Sequence, residues 1–329
     1  MKIKFLIIRF SSIGDIVLTT PVIRCLKEQV EGAEIHYATK EKFACLLSAN
    51  PNITKIHILK EKISELVEEL EQEQIDYIID LHQNIRSNRI KSRIKIPAFS
   101  FNKLNYQKWL MVNLKINKLP ETHIVDRYLE TLSVFDVEND NMGLDFYIPE
   151  NSQFNFEKLG ERFTQGYIAF VLAGTYFTKK LPPEKVMEIC EKTDKPIILL
   201  GGNSEQHDGE KIASLHPERI INLCGKTSLS ESADLVKNAR VVLTNDTGLM
   251  HIAAAFKKKI LSFWGNTIPE FGMFPYLPGE GSEILETKGL KCRPCSKLGH
   301  DKCPKKHFKC MLEINSDEVI SWIENNFEI

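Results

Sequence analysis

The sequence predicts an α/β protein of two domains, each with a parallel sheet and helices around it. Three observations carry this. Short apolar runs alternate with helical patterns, once over residues 4–81 and again over 167–263, which is the rhythm of βαβ units. The runs are nearly continuous in apolar residues, as strands covered on both faces must be. The chain has 329 residues, room for two domains of ordinary size.

Taken in order, residues 4–9 (KFLIIR) read as the first strand. It stops at Phe10-Ser11-Ser12-Ile13-Gly14-Asp15. A helical pattern follows through Ile16, Val17, Pro21, Val22, Ile23, Leu26 and Val30, with the helix starting near Thr19 or Thr20 and Pro21 in its first turn. Strands at 34–39, 55–59 and 77–81 then alternate with helices at 41–49 and 61–73. Polar loops at 139–141 and 149–151 place a boundary between 150 and 165, giving an N-terminal domain of 1–160 and a C-terminal domain of 161–329. The second series reads as strands at 167–175, 196–202, 220–225, 241–244 and 260–263. Helices start at Glu184 and Ser204, span 229–239, and follow Gly248. A short amphipathic helix covers 317–326.

Composition is that of a globular protein, with net charge −1. No apolar run approaches the roughly 20 residues of a membrane span. In the opening MKIKFLIIRF, Arg9 breaks the apolar run after four residues, which reads as a strand rather than a signal peptide. The expected compartment is therefore the cytoplasm. There the eight cysteines suit thiols or a metal better than disulfides.

The stretch 241–256, VVLTNDTGLMHIAAAF, joins a buried strand to a buried helix through Thr244, Asn245, Asp246, Thr247 and Gly248. Asp246 or Thr247 is placed to cap the helix, and Gly248 lets its first turn approach another body closely. Free N–H groups and the dipole make such a start an anion site. A plain capped strand-to-helix junction reads the same way. Other strand ends add to it: Gly174 and Thr175, with Thr178, Lys179 and Lys180 beyond, then Gly201, Gly202 and Glu205. A lysine just past a strand end reaches a phosphate as a point charge, and a glutamate there accepts hydrogen bonds from ribose hydroxyls. Either lysine alone reads more simply as solvated loop. Several such ends on one crevice favour a ligand.

Asp15 follows Gly14 at the end of the first strand, where a catalytic carboxylate faces a ligand crevice. A lone acid there reads more simply as a helix-start acid complementing the dipole. One glycine in SSIGD is not a G-x-G-x-x-G fingerprint, so a dinucleotide site and a dehydrogenase are poorly supported.

Charge is segregated. Residues 82–120 hold nine basic side chains and no acid, among them Arg86, Arg89 and Arg93, interleaved with Phe99, Phe101, Tyr106, Trp109 and Leu110. This suits an anionic, partly apolar partner such as a phosphorylated lipid at a membrane surface, or a solvated basic face. Nucleic acid suits the charge too, but no recognition module is visible. The tail holds Cys292-x2-Cys295-x7-Cys303-x6-Cys310, with eight Lys/Arg and only Asp301 as an acid between Lys288 and Lys309. Four cysteines so placed resemble a structural zinc site. Cys25, Cys45, Cys190 and Cys224 sit in apolar settings and read as inert core.

Four motifs resemble glycosyltransferase family 9, the heptosyltransferases: RFSSIGDIVLTTPVIRCLK, AGTYFTKKLPPEKV (with Leu181 where the family has tryptophan), LLGGNSE, and TNDTGLMHIAAA followed by KKILSFWG. The resemblance covers nearly the whole chain. It implies a GT-B fold, two Rossmann-like domains facing across a cleft, the first for the acceptor and the second for the donor. It implies transfer of heptose from ADP-heptose to the inner core of lipopolysaccharide with inversion at the anomeric carbon. It places Asp15 on the base, Thr175 and Lys179 on donor phosphate and sugar contacts, and Glu205 on the ribose. Asp246, Thr247, Gly248, Leu249 and Met250 fall on the pyrophosphate loop, and His251 near the sugar. Arg86, Arg89 and Arg93 suit a phosphorylated, lipid-anchored core acceptor at the cytoplasmic face of the inner membrane. A helix start and a lysine can stabilise a departing diphosphate, so the leaving group requires no metal or other cofactor. The competing readings are a non-catalytic nucleotide-binding module and a family 9 transferase with another nucleotide sugar.

Overall fold

The structure is a computed structural model that describes residues 2–328. It divides into two compact units: Met1–Lys103 with Thr122–Pro149, and Leu104–Glu121 with Glu150–Ile329.

The first unit opens with β1 (Ile3–Ile8), whose last four residues are fully buried. Two helices follow, α1 (Ile13–Val17) and α2 (Thr20–Gln29), with Pro21 in the first turn of α2 where it costs no hydrogen bond. β2 (Ala33–Thr39), β3 (Lys55–Ile58), α3 (Ile63–Glu73), β4 (Tyr77–Asp80), α4 (Ile85–Ile94) and β5 (Ala98–Ser100) complete the series. Between β2 and β3 the expected helix is a 3-10 segment, Glu41–Leu46. Only Phe43 and Leu46 are buried there, too little apolar stripe to hold longer α-helical turns. After α5 (Asn105–Leu114), which belongs to the second unit, the chain returns with α6 (Ile124–Leu129). All strands are parallel, in the order β3-β2-β1-β4-β5. The order reverses between β1 and β4, and ligands of open parallel sheets bind beyond the carboxyl ends at that switch.

The second unit runs β6 (Ile168–Val171), α7 (Pro183–Lys192), β7 (Ile197–Leu200), α8 (Gln206–Ala213), β8 (Ile220–Asn222), α9 (Leu229–Asn238), β9 (Val241–Asn245), α10 (Gly248–Ala255), β10 (Lys259–Trp264) and β11 (Glu283–Glu286). α11 (Lys309–Leu312) and α12 (Ser316–Phe327) close it. The parallel order is β11-β10-β9-β6-β7-β8, so the switch lies between β6 and β9. A capping box starts α9: Ser228 Oγ accepts from the Glu231 N–H at 3.2 Å, and the Glu231 carboxylate accepts from the Ser228 N–H at 2.7 Å. The core joins the strands to Val186, Ile189, Met311, Val319, Trp322 and Ile323 of the covering helices. No helix among the described residues is long and apolar enough to cross a membrane.

Candidate active site

In the first unit the chain beyond β1 turns back on a buried arginine. Arg9 Nε donates to the Ser11 carbonyl at 2.7 Å, and Nη1 donates to the Leu81 carbonyl at 2.5 Å and the Tyr128 hydroxyl at 3.2 Å. Nη2 meets Asp15 Oδ1 at 2.5 Å. Asp15 Oδ2 accepts from the Ser12 N–H at 3.1 Å and the Ser12 hydroxyl at 2.6 Å. The Asp15 side chain is 19% exposed, so it is held yet reachable. Burial pushes its pKa up, but the Arg9 guanidinium and the Ser12 donors outweigh that and hold it below the ordinary carboxylate range. Asp15 is therefore ionised at neutral pH, as a proton acceptor must be.

On the other side of the same switch, beyond β4, stands His82. Burial first, then the charges of Arg9 and Lys103, lower its pKa to about 4, so it is neutral at pH 7. Asp80, at the end of β4, accepts from the N–H groups of His82 and Gln83 at 3.0 and 2.7 Å and pairs with Lys91 Nζ at 2.8 Å. Arg86 and Arg89 project from α4 into a groove shared with Lys40, Lys42 and Lys60, past the ends of β2 and β3. Arg93, one turn on, is exposed and outside that groove.

In the second unit one side chain stitches the switch together. Asn245 Nδ2 donates to the carbonyls of Val171, Leu172 and Ala173 at 3.3, 3.1 and 3.2 Å, and its Oδ1 accepts from the Leu181 N–H at 2.9 Å. The strand ends of β6 and β9 and the lysine loop are thereby fixed to each other. Lys179 Nζ meets Asp246 Oδ2 at 2.6 Å, and that oxygen also accepts from the Thr267 hydroxyl at 3.0 Å. Thr247 caps α10 by backbone position alone; neither it nor Asp246 makes the expected side-chain cap, because Asp246 is turned to Lys179 and Thr267. Leu249, Met250 and His251 are buried in α10. Thr175 is exposed in the lysine loop.

Lys180, the neighbour of Lys179, goes to the next strand end and meets Glu205 Oε1 at 2.5 Å. Glu205 also accepts from the Ser204 hydroxyl at 2.6 Å and the Gly202 N–H at 2.8 Å. Burial raises its pKa, but these donors outweigh it and keep it low, so it too is ionised. The two lysines thus serve two different acids. The roles of Arg9 and Asn245, and the Lys180–Glu205 pair, were not found by sequence reasoning. An arginine closing a strand and an asparagine before Asp246 were the available signals.

The four tail thiols come within electrostatic reach of one another: Cys292 and Cys303 act on Cys295, and Cys295, Cys303 and Cys292 act on Cys310. Among the described residues no group of three or more His, Cys, Asp or Glu stands ready to hold a metal. All eight cysteines are free thiols. Cys310 is buried in the core with Cys303 packed against it, and the Cys292 sulfur faces His307 Nε2 at 3.9 Å. Cys295 Sγ donates to the Cys292 carbonyl at 3.2 Å. Burial, with the neighbouring thiols, raises the Cys295 thiol to about 11. Of the four cysteines expected in the core, Cys45 is exposed instead, on the 3-10 segment.

An ionised acid beyond one sheet, and a helix start beside a lysine beyond another, are features that suit a nucleotide-dependent group transferase. The model of glycosyltransferase family 9 (heptosyltransferase) matches residues 63–300, and the chain belongs to that family. It is 28% identical to lipooligosaccharide heptosyltransferase 2 of Haemophilus influenzae, over 90% of this chain and 93% of that one. Two solved structures share the fold. A family 9 glycosyltransferase from Veillonella parvula has TM-score 0.76 at 20% identity, covering 98% and 97% of the two chains. The ADP-heptose LPS heptosyltransferase II of E. coli has TM-score 0.74 at 18% identity, covering 99% and 98%.

Proposed function

We propose that this protein transfers heptose from ADP-heptose to the inner core of lipopolysaccharide, with inversion at the anomeric carbon. The observation that carries this is the charged start of α10, with Lys179 on Asp246, in a chain of family 9. The Asp15 carboxylate takes the proton of the acceptor hydroxyl as its oxygen bonds to the anomeric carbon. The bond to the β-phosphate oxygen breaks, and ADP leaves with that electron pair. Lys179 and the N–H groups of Thr247, Gly248 and Leu249 meet the growing phosphate charge, with Met250 closing that first turn. The ionised Glu205 accepts from the ribose hydroxyls, Thr175 adds a hydroxyl beside the lysines, and His251 stands near the sugar.

In this reading the first unit, 1–103 with 122–149, serves the acceptor, and the second, 104–121 with 150–329, the donor. Arg86, Arg89 and Arg93 receive phosphates of the core, and the lipid-anchored acceptor brings the protein to the cytoplasmic face of the inner membrane as a peripheral enzyme. The test is to incubate ADP-heptose and a heptose-deficient core acceptor with the protein and with Asp15→Ala. Gain of one heptose mass and release of ADP are expected only with the former. Tight ADP-heptose binding with no transfer would instead mark a non-catalytic nucleotide-binding module. Mass spectrometry of the core from a deletion strain names the step.

A further inference from the structure

The two basic stretches of the sequence lie far apart in the chain, yet part of the first is built onto the second within the second unit. Lys115, at the end of α5, donates from Nζ to the carbonyls of Cys292 at 3.3 Å and Pro294 at 2.6 Å. Lys297 Nζ reaches the Asn105 carbonyl at the other end of the helix at 3.5 Å. The Lys108 ammonium lies 5.9 Å from the centre of the Phe271 ring. α5 is thus seated on the cysteine-bearing loop at both ends.

Its sequence, NYQKWLMVNL, is largely apolar, and none of its residues is buried. Tyr106 is 69% exposed, Trp109 49%, Leu114 53% and Ile116 45%, and Leu298, next to the lysine at the helix start, is 64% exposed. Lone exposed apolar side chains are ordinary. Five large ones gathered on one helix, its end and the loop it is tied to exceed such scattered exposure. Lys118, Lys291, Lys297, Lys302 and Lys305 are exposed on the same two segments, whose acids are only Glu121 and Asp301. Tryptophan and tyrosine settle at the headgroup level of a bilayer, and lysines are drawn to anionic lipid.

We propose that α5 with the Lys297–Leu298 loop is a docking face for an anionic lipid bilayer. This rests on the reading of a peripheral enzyme with a lipid-anchored acceptor, and names the surface that makes the contact. The lysines take the headgroup charge while Tyr106, Trp109 and Leu298 enter the interface.

The test uses the full chain and vesicles of phosphatidylethanolamine with phosphatidylglycerol, against pure phosphatidylcholine. Trp264 and Trp322 are buried, at 1% and 4% exposure, so a blue shift on adding vesicles reports Trp109. Sedimentation with the anionic vesicles and that shift are expected. Lys291→Glu with Lys297→Glu should cut partitioning more than about tenfold, since each lysine is worth about fivefold. Tyr106→Ser with Trp109→Ser should cut it about tenfold or more. ADP affinity should stay unchanged in both variants, showing that they fold. Vesicle binding undiminished in both, with Trp109 emission unmoved, would overturn this face while leaving the peripheral reading standing. No binding of the wild type to anionic vesicles would overturn both, leaving heptose transfer to a detergent-solubilised acceptor as a separate matter. Short duplex DNA that displaces the protein from vesicles and shifts Trp109 equally would overturn lipid in favour of nucleic acid.

Discussion

Replacing Asp15 with asparagine removes one charge and almost no volume. In the wild type the carboxylate meets Arg9 at 2.5 Å, the Ser12 hydroxyl at 2.6 Å and the Ser12 N–H at 3.1 Å. The amide keeps the shape but leaves the Arg9 guanidinium, whose side chain is only 11% exposed, without its anion. Two losses follow. Turnover falls by about 10²–10⁴, the usual worth of a general base. Stability falls by about 3 kcal/mol, the lower end for an orphaned buried charge, because both side chains keep some contact with water. The second loss depends on pH with a definite sign. The folded pKa of Asp15 lies below its unfolded value. The wild-type advantage is therefore fully present above the ordinary carboxylate range near about 4, and vanishes as pH falls through the folded value. Urea unfolding of both proteins at several pH values measures this, and steady-state transfer with ADP-heptose titration separates rate from affinity. Turnover near wild type, or an ADP-heptose affinity that collapses with it, would refute the assignment of Asp15 as base.

Lys179→Ala should weaken donor binding and slow turnover together, by about 1.5–3 kcal/mol in all, because the phosphate charge it meets grows as the bond breaks; Lys180→Ala should act mainly on affinity, through Glu205. Both are read from kcat and KM, and reversed effects would move the phosphate contact to Lys180. Gly265→Ala would bring a Cβ to 2.7 Å from the Thr178 carbonyl and 2.9 Å from Met311, so a loss of about 1–3 kcal/mol is expected in urea unfolding. His36 donates to or accepts from His57 at 2.8 Å, and burial, then the charge of His57, lowers its pKa from 6.5 to about 4. The unfolded chain takes up that proton first, so stability should fall by up to about 3 kcal/mol as pH drops from 6.5 toward 4. His36→Gln should flatten that slope in urea midpoints.

Both series of strands were legible because buried parallel strands write themselves as unbroken apolar runs: IKFLII, IAFV, IILL and VVLTN are nearly all interior. Two of the four edge strands, β5 and β11, were not. Ala98–Ser100 and Glu283–Glu286 carry exposed residues and borrow their stability from a single neighbour, so neither leaves an apolar run. α5 hid inside a stretch that reads first by its charge. At the site, the glycines and acids at strand ends were visible, since turns demand them. Which lysine meets which acid was not, because Lys179 and Lys180 are one residue apart and only the 3-10 turn at Phe177–Lys179 sends them different ways. The cysteine tail resembled a metal site by spacing; its thiols do come near one another, but among the described residues they form no group ready to hold a metal.

Asn245 has a consequence for which changes of length the chain tolerates. Its amide nitrogen grips the carbonyl of Ala173 and its oxygen grips the N–H of Leu181, so the seven residues between them span two points pinned by one side chain. Thr178, inside that span, is pinned again by His300 through both its N–H and its hydroxyl. A surface loop ordinarily absorbs an inserted residue at little cost. Here an insertion or deletion before Thr178 bows or stretches the leading segment, and one after it rotates Lys179 and Lys180 off their acids. Sequence length over 174–180 is thus constrained as tightly as the identity of Lys179 and Lys180: a single added glycine cannot be accommodated between the two pinned points.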